Sequence, residues 1–530
     1  MSGSAGMLVL NARPFGAPGA DALAVFDGRV VTGAERELMA LRGPRTRVVD
    51  ARGATVTPGI TDSHLHLVSW ARSLAELEID PAWSLARVLE AARAFAASHP
   101  AQRVLVGRGW AGDGWERGPD REALDAACAD RPLLLHSKDF HAMWVNSLAL
   151  TRAGITETTP DPVGGRFERG PGGRLTGVAR EHAVRAFTPL LPVADVAHER
   201  ESLSGAVRRL YAEGVTAIHD FEGAAESALL RAVCAPDGDT PLRVLMHVPH
   251  AQLDAMLEMG LASGIGDSWF RLGAVKLFAD GTLGSRTAAM LEPYVGDPGL
   301  GMDLIPPGEL GEIVRRAVAR GVSIAVHAIG DRAVRHSLDA FASAPPGHLA
   351  ALALPPRIEH AQLVEPGDVP RFAALGVAAS MQPSHCVADR HLVRERWTPW
   401  VDHSYPWAAL ARTGARLAFG SDAPVEPPSV ALGLHAALTR REPGAPDSQS
   451  LAPHQRVDLA VALAAYTHVP PILAGDPVLG RFARGAGGDV VVWDRDLFAA
   501  TPDEIAAARP VMTVIDGRVV HERASMVEAA

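Results

Sequence analysis

Eight short apolar segments, each separated from the next by longer and largely helix-forming stretches, constrain this chain more than any other feature. They read VTPGITDSH at 56–64, GVTAIHDF at 214–221, LRVLMHV at 242–248, GAVKLFADG at 273–281, GVSIAVHAIG at 321–330, RIEHAQL at 357–363, GVAASMQP at 376–383 and ARLAFGSDAP at 415–424. Short apolar runs bounded by glycine and proline are strand signals. Between them, ESLSGAVRRLYAEG and DRAVRHSLDAFAS space their apolar residues as helices do. Eight strands alternating with helices predict an α/β fold, a closed (β/α)8 barrel of the TIM type, with its site at the C-terminal strand ends.

The remaining chain falls around that barrel. MLVLNARPF, ALAVFDGRVV and TRVVDARGATV before it, and GDVVVWDRD and VMTVIDGRVVHE after it, read as hairpin strands with Asp-Gly turns. Neither end has much core alone, so both termini are expected to build one composite β-sandwich. Residues 67–213 are too long for a simple crossover and carry their own apolar runs, RVLVGRGW and RPLLLHSKDF. They are read as a large α/β insertion after the first barrel strand, covering the barrel mouth. The expected division is 1–54 N-terminal sandwich, 55–66 first strand, 67–213 insertion, 214–474 remaining barrel and 475–530 C-terminal sandwich.

The formal charge of −10 gives no reason to expect nucleic acid or an anionic membrane as partner. The N-terminus lacks a basic segment followed by a long apolar core, and no membrane span is read. Three scattered cysteines form no close pair, which favours a reducing, cytoplasmic setting. A small-molecule substrate is the expected partner, and the apolar content allows a homodimer.

In an extended segment, His64 and His66 point to one side. Two imidazoles alone do not define a metal site. Lys276 in the fourth strand, His327 at the fifth, His360 at the sixth and Asp422 at the eighth should meet them above the same barrel. Such a set suits a metal. Lys276 needs compensation if buried. One solution is reaction with carbon dioxide, giving an anionic carbamate able to bridge two ions; the other is pairing with Asp280 or Asp422. His219 and His247 also end strands, but are read as pocket or hydrogen-bonding residues, since neither is needed for the shell.

The segments PGITDSHLHL, DFHAMWVNSLAL, DPVGG, GVTAIHD, VKLFADGTLGSRTA, VHAIGDRAV, RIEHAQL, SMQPSHCVAD and FGSDAPVE occur in an order that resembles the metal-dependent amidohydrolase superfamily. The branch is amidohydrolase family 3, with its YtcJ-like proteins and N-substituted formamide deformylases. The resemblance spans nearly the whole chain and implies the barrel and sandwich just described. It also implies Zn2+, with two ions bridged by a carboxylated Lys276 and one ion as the alternative. His64, His66 and Asp422 would hold the buried metal, and His327 and His360 the second.

On that reading, metal-activated water attacks a carbonyl carbon, and Asp422 is the general base that returns a proton to the leaving amine. The expected reaction is hydrolysis of a linear C–N amide bond in an N-acyl or N-formyl amine. Carbamates, esters and cyclic amides remain open as substrates, as does a non-catalytic metal-containing binding protein. The substrate pocket is expected to draw on His141, Trp144 and Asn146 in the insertion, Arg286 after the fourth strand and His385 after the seventh. Asp331 is read as a helix cap, and Asp389 as a partner of His385.

Overall fold

A computed structural model describes residues 5–112, 115–192 and 195–523. Its centre is an eight-stranded parallel sheet in strict chain order. The strands are β1 (Ile60–Leu65), β2 (Val215–Asp220), β3 (Arg243–Pro249), β4 (Phe270–Phe278), β5 (Ile324–Ala328), β6 (Arg357–His360), β7 (Ala378–Met381) and β8 (Leu417–Phe419). The last strand returns beside the first, where Asp422 N donates to His64 O (2.6 Å). The protein is thus a (β/α)8 barrel. Its β strands are buried almost end to end, as expected when helices cover the outside and side chains fill the inside.

Two five-stranded sheets form the sandwich, and each mixes both ends of the chain. One places Ala486–Gly487 beside Arg29–Gly33, Ala22–Phe26, Met7–Leu10 and Arg47–Asp50. The other runs Arg13–Pro14, Thr55–Pro58, Val490–Trp493, Pro510–Ile515 and Arg518–Glu522. The Asp27-Gly28 and Asp516-Gly517 hairpins have positive φ at both residues (42° and 69°; 50° and 80°), the conformation that selects Asp-Gly in two-residue turns. Arg243 at the start of β3 grips Asp489 of the sandwich through two bonds (2.8 and 3.0 Å).

Two boundaries differ from the sequence reading. Thr55–Pro58 pairs with Val490–Trp493 in the sandwich, so the first barrel strand begins at Ile60 instead of residue 55. Gly59 makes the crossing: a Cβ there would lie 2.1 Å from Thr216 Oγ1 and 2.7 Å from Asp489 Cβ. The insertion also ends before 213. Helix Val196–Ala212, capped by Asp195, buries Leu203, Ala206, Val207 and Leu210 in the barrel's core.

What remains of the insertion is a six-stranded sheet in the order Gly165–Arg169, Leu175–Glu181, Ala142–Val145, Leu133–Ser137, Leu105–Trp110 and Leu77–Glu78. It has apolar clusters of its own on both faces, one around Trp110, Leu135 and Trp144 and one around Leu134, Phe167 and Phe187. The loops between its strands reach the barrel rim. Asp139 accepts from Thr282 Oγ1 (2.6 Å), and Glu181 from Thr287 Oγ1 (2.5 Å).

Candidate metal centre

The seam between β1 and β8 fixes the first ligating groups. Asp62 accepts from Ser421 N (2.9 Å), Ser421 Oγ (2.5 Å) and His64 N (3.1 Å). A Cβ on Gly420 would stand 2.5 Å from His64 N, so this close approach needs glycine. Burial lifts the Asp62 carboxyl to about 6 despite those bonds.

Above the seam, imidazoles converge. The ring centroids of His64 and His66 are 5.8 Å apart, those of His64 and His360 4.9 Å, and those of His327 and His360 4.6 Å. Asp422 Oδ1 lies 3.5 Å from His64 Nε2 and 3.7 Å from His66 Nε2, while its other oxygen is 3.7 Å from His385 Nε2. His64, His66 and Asp422 form one group with ligand atoms close enough to share an ion; His360, His385 and Asp422 form another. His327 and Lys276 stand beside these groups and belong to neither. His327 Nε2 is 3.1 Å from Gly281 O, and Lys276 Nζ lies over the rings of Phe221 (4.4 Å) and Phe278 (5.1 Å).

Outer partners orient the rings. His64 Nδ1 donates to Glu359 Oε2 (2.6 Å) and His360 Nδ1 to Gln382 Oε1 (2.8 Å). Each bond commits one ring proton and leaves Nε2 with a lone pair, the usual support for a ligating histidine. Glu359 is wholly buried and paired with Arg357 on the same face of β6, whose Nε stands 2.5 Å from Oε1 and whose terminal nitrogen donates to Oε2 (3.2 Å). Arg357 also bonds Ser63 O (2.7 Å), Ser380 Oγ (2.6 Å) and His219 Nδ1 (2.8 Å), forming a polar belt under the site. His247 accepts from Ala274 N (2.9 Å). The buried Nε2 of His385 has no hydrogen-bond partner among the described residues.

Charge follows from burial. Desolvation holds His64, His327 and His360 well below the ordinary imidazole range, and lowers His66 to about 4 with help from Lys276. All four are neutral at pH 7, as metal ligation requires. Burial raises Asp422 to about 7 and lowers Lys276 to about 8. His141 is the exception: burial opposes its charge, but Glu181, bonded to Nδ1 at 2.7 Å, and Asp139 raise it to about 9. Two ligand candidates sit in strained backbone, His360 at φ 74° and Asp422 at φ 61°. Non-glycine residues in this region concentrate at functional sites. The neutral imidazoles, their committed outer protons and the partnerless His385 nitrogen all fit a borderline cation such as zinc.

Three pocket expectations are corrected. Trp144 is fully buried inside the insertion, against Trp110 and Trp115, in the apolar cluster that also holds Leu135, Ala142 and Val178. Asn146 caps helix Ser147–Arg152 and ties Cys128 O and Arg131 O (2.8 Å each). Arg286 is exposed in a turn and faces Asp297 and Glu395 at 3.7 and 3.9 Å. His141 and His385 do line the cavity beside Asp422.

Other roles shift as well. Lys276 has no ion pair or hydrogen bond among the described residues, while Asp280 accepts from Ala289 N, Ile329 N and Gly330 N. Asp389 takes the Tyr405 hydroxyl (3.1 Å) in place of His385. Asp331 opens helix Asp331–Ala342 and holds Leu291 N (2.8 Å). Glu359, Arg357, Gln382 and Glu181 were missed by sequence reasoning. The usable signal was Arg357 and Glu359 two apart in an apolar strand, which places opposite charges on one inward face.

A barrel carrying a histidine–aspartate cluster at its C-terminal rim, with a sandwich built from both chain ends, has the architecture of metal-dependent hydrolases. Residues 47–521 match the amidohydrolase family, and the chain belongs to it. It is 31% identical over 517 residues to the YtcJ amidohydrolase of Bacillus subtilis (strain 168), covering 95% of this chain and 96% of that protein. It is 26% identical over 523 residues to the N-substituted formamide deformylase of Arthrobacter pascens, covering 95% of each. A solved metal-dependent hydrolase from Pyrococcus furiosus superposes with TM-score 0.71 and 27% identity, covering 92% of this chain and 98% of that one.

Proposed function

We propose that this member of the family is a zinc-dependent hydrolase that cleaves a linear C–N amide bond in a small N-acyl or N-formyl amine. The supporting observation is the convergence of neutral His64, His66 and His360 on Asp422, with Glu359 and Gln382 fixing two of the rings. The likeness to a formamide deformylase supports the amide class. His64, His66, His327, His360, Lys276 and Asp422 would hold the metal, with His385 a further donor in reach. When bound, the metal polarises the carbonyl and acidifies water.

The chain's own groups do the rest. Asp422, raised to about 7, takes a proton from the attacking water and delivers one to the leaving nitrogen. Water is consumed, the C–N bond breaks, and an acid and an amine leave. His141, kept cationic by Glu181, donates toward the acyl oxygen from the cavity wall. Lys276, with a lowered pKa and no ion pair or hydrogen bond among the described residues, suits carbamate formation: its neutral amine would add carbon dioxide and release one proton, and the resulting anion would supply oxygen ligands to the metal. Three free, buried cysteines fit a cytoplasmic setting, and among the described residues no helix is long and apolar enough to cross a membrane.

The test is Asp422→Asn in metal-reconstituted protein, assayed on formamides, N-acyl amines, carbamates, esters and lactams. Amide turnover should fall by about 10²–10⁴-fold. Unchanged amide turnover removes Asp422 as the base, and activity confined to esters or lactams removes the linear-amide assignment.

A further inference from the structure

The candidate metal centre lies at a junction. Two cavities, each of about 870 Å³, meet there and share His141, His327, His360 and Asp422 in their walls. His64, His66 and Lys276 face only one of them, and His385 only the other. Each reaches exposed residues, Arg103 and Arg185 on the first side and His391 and Glu442 on the second, so the centre has two separate ways to the surface. Either cavity alone is as large as a typical small-molecule site.

The limbs differ in free charge. In the second, every cation is engaged: Lys138 by Glu426 (2.9 Å), Arg180 by Glu168 (2.5 Å) and Arg441 by Asp503 (2.9 Å). In the first, Arg72 is held by Glu199 (2.6 Å), but Arg103 and Arg185 have no acidic or hydrogen-bonding partner among the described residues. Two unneutralised guanidiniums stand along one path to the metal, in a chain whose net charge is −10.

We propose that the substrate spans this junction, with a sizeable group on each side of the scissile bond and a carboxylate on the half that enters the arginine limb. This rests on the hydrolase reading above and narrows it. A formyl group would leave one limb empty, so a substrate with several carbons on both sides uses more of the site. Charge selects its orientation, because only one limb offers unpaired arginines.

The experiment compares N-formyl and N-hexanoyl derivatives of glycine, glycinamide and benzylamine, and the benzylamide of adipic acid, whose carboxylate lies on the acyl side. Preference of kcat/KM for one carboxylate position shows which half enters the arginine limb. N-hexanoyl compounds should exceed their N-formyl counterparts by at least about tenfold. The preferred carboxylate should exceed its neutral partner by about tenfold, and Arg103→Ala/Arg185→Ala should abolish that preference. Ala75→Trp in the arginine limb and Leu432→Trp in the other change exposed wall residues, so folding is not at stake. Both should impair the N-hexanoyl compounds, while one should leave the N-formyl compounds unchanged. Faster N-formyl turnover, or equal effects of both tryptophans on both series, overturns the proposal. Calorimetric binding of the same compounds to zinc-loaded Asp422→Asn protein reads the limbs without turnover. Limb-dependent binding with no hydrolysis by the wild type would sink the function and spare the limbs; hydrolysis without limb-dependent binding would do the reverse.

Discussion

Glu359→Gln separates metal support from packing more sharply than any other substitution. The wild-type carboxylate is buried, accepts His64 Nδ1 at 2.6 Å and faces Arg357 at 2.5 Å. Burial alone would raise its pKa, yet Arg357 and Lys276 hold it below the ordinary value, so it is ionised. Glutamine keeps the shape and an acceptor for His64 but removes the charge. Loss of an outer partner of this kind costs about 10–100-fold in metal affinity, or about 1.4–2.7 kcal/mol. The change also leaves the Arg357 charge without its anion, and breaking a buried pair in this way costs about 3–5 kcal/mol. Zinc titration against a competing chelator reads the first quantity, and urea denaturation of the metal-free protein reads the second. Wild-type zinc affinity in a variant that has lost stability would refute the claim that Glu359 orients a ligand. It would leave Glu359 as a structural counter-charge alone.

Lys276→Met should leave at most one zinc per chain by elemental analysis, and wild-type protein equilibrated with carbon-13 bicarbonate should show a carbamate resonance that the variant lacks; identical spectra would exclude the adduct. Trp144→Ala should cost about 3–5 kcal/mol of stability with zinc content unchanged, whereas a change in KM without destabilisation would return Trp144 to the pocket. His136, lowered to about 4 by burial, resists protonation in the folded state and accepts it in the unfolded state near the ordinary 6.5. Its contribution is therefore present above about pH 6.5 and lost as pH falls towards 4, by up to about 3 kcal/mol. His136→Phe should flatten the stability curve over that window, and an unchanged slope would contradict the assignment.

The barrel was legible because its strands are short apolar runs, most of them carrying a histidine, lysine or aspartate at or near the C-terminal end, and the order of those residues agrees with the strand count. Its limits were less legible. VTPGITDS is a single apolar run that serves two sheets, and only the crowding around Gly59 divides it. Helix Val196–Ala212 has an apolar face that fits either the insertion or the barrel, and tertiary packing decides. The histidines and Asp422 were visible because few other roles suit them at strand ends. Trp144 and Asn146 share a motif with His141, yet Trp144 packs into the insertion's own core and Asn146 caps the helix that begins at Ser147. Arg357 and Glu359 were overlooked because each looks like a surface residue until the closed barrel makes their shared face an interior.

The central claim is that side chains from separate strand ends hold zinc at one rim of the barrel. Anomalous diffraction at the zinc edge from zinc-loaded crystals tests it most directly. A peak within about 2.0–2.2 Å of His Nε2 and carboxylate oxygen atoms of His64, His66 and Asp422 is the predicted result. Zinc found only elsewhere on the molecule, with these side chains bonded to other protein groups, would contradict it.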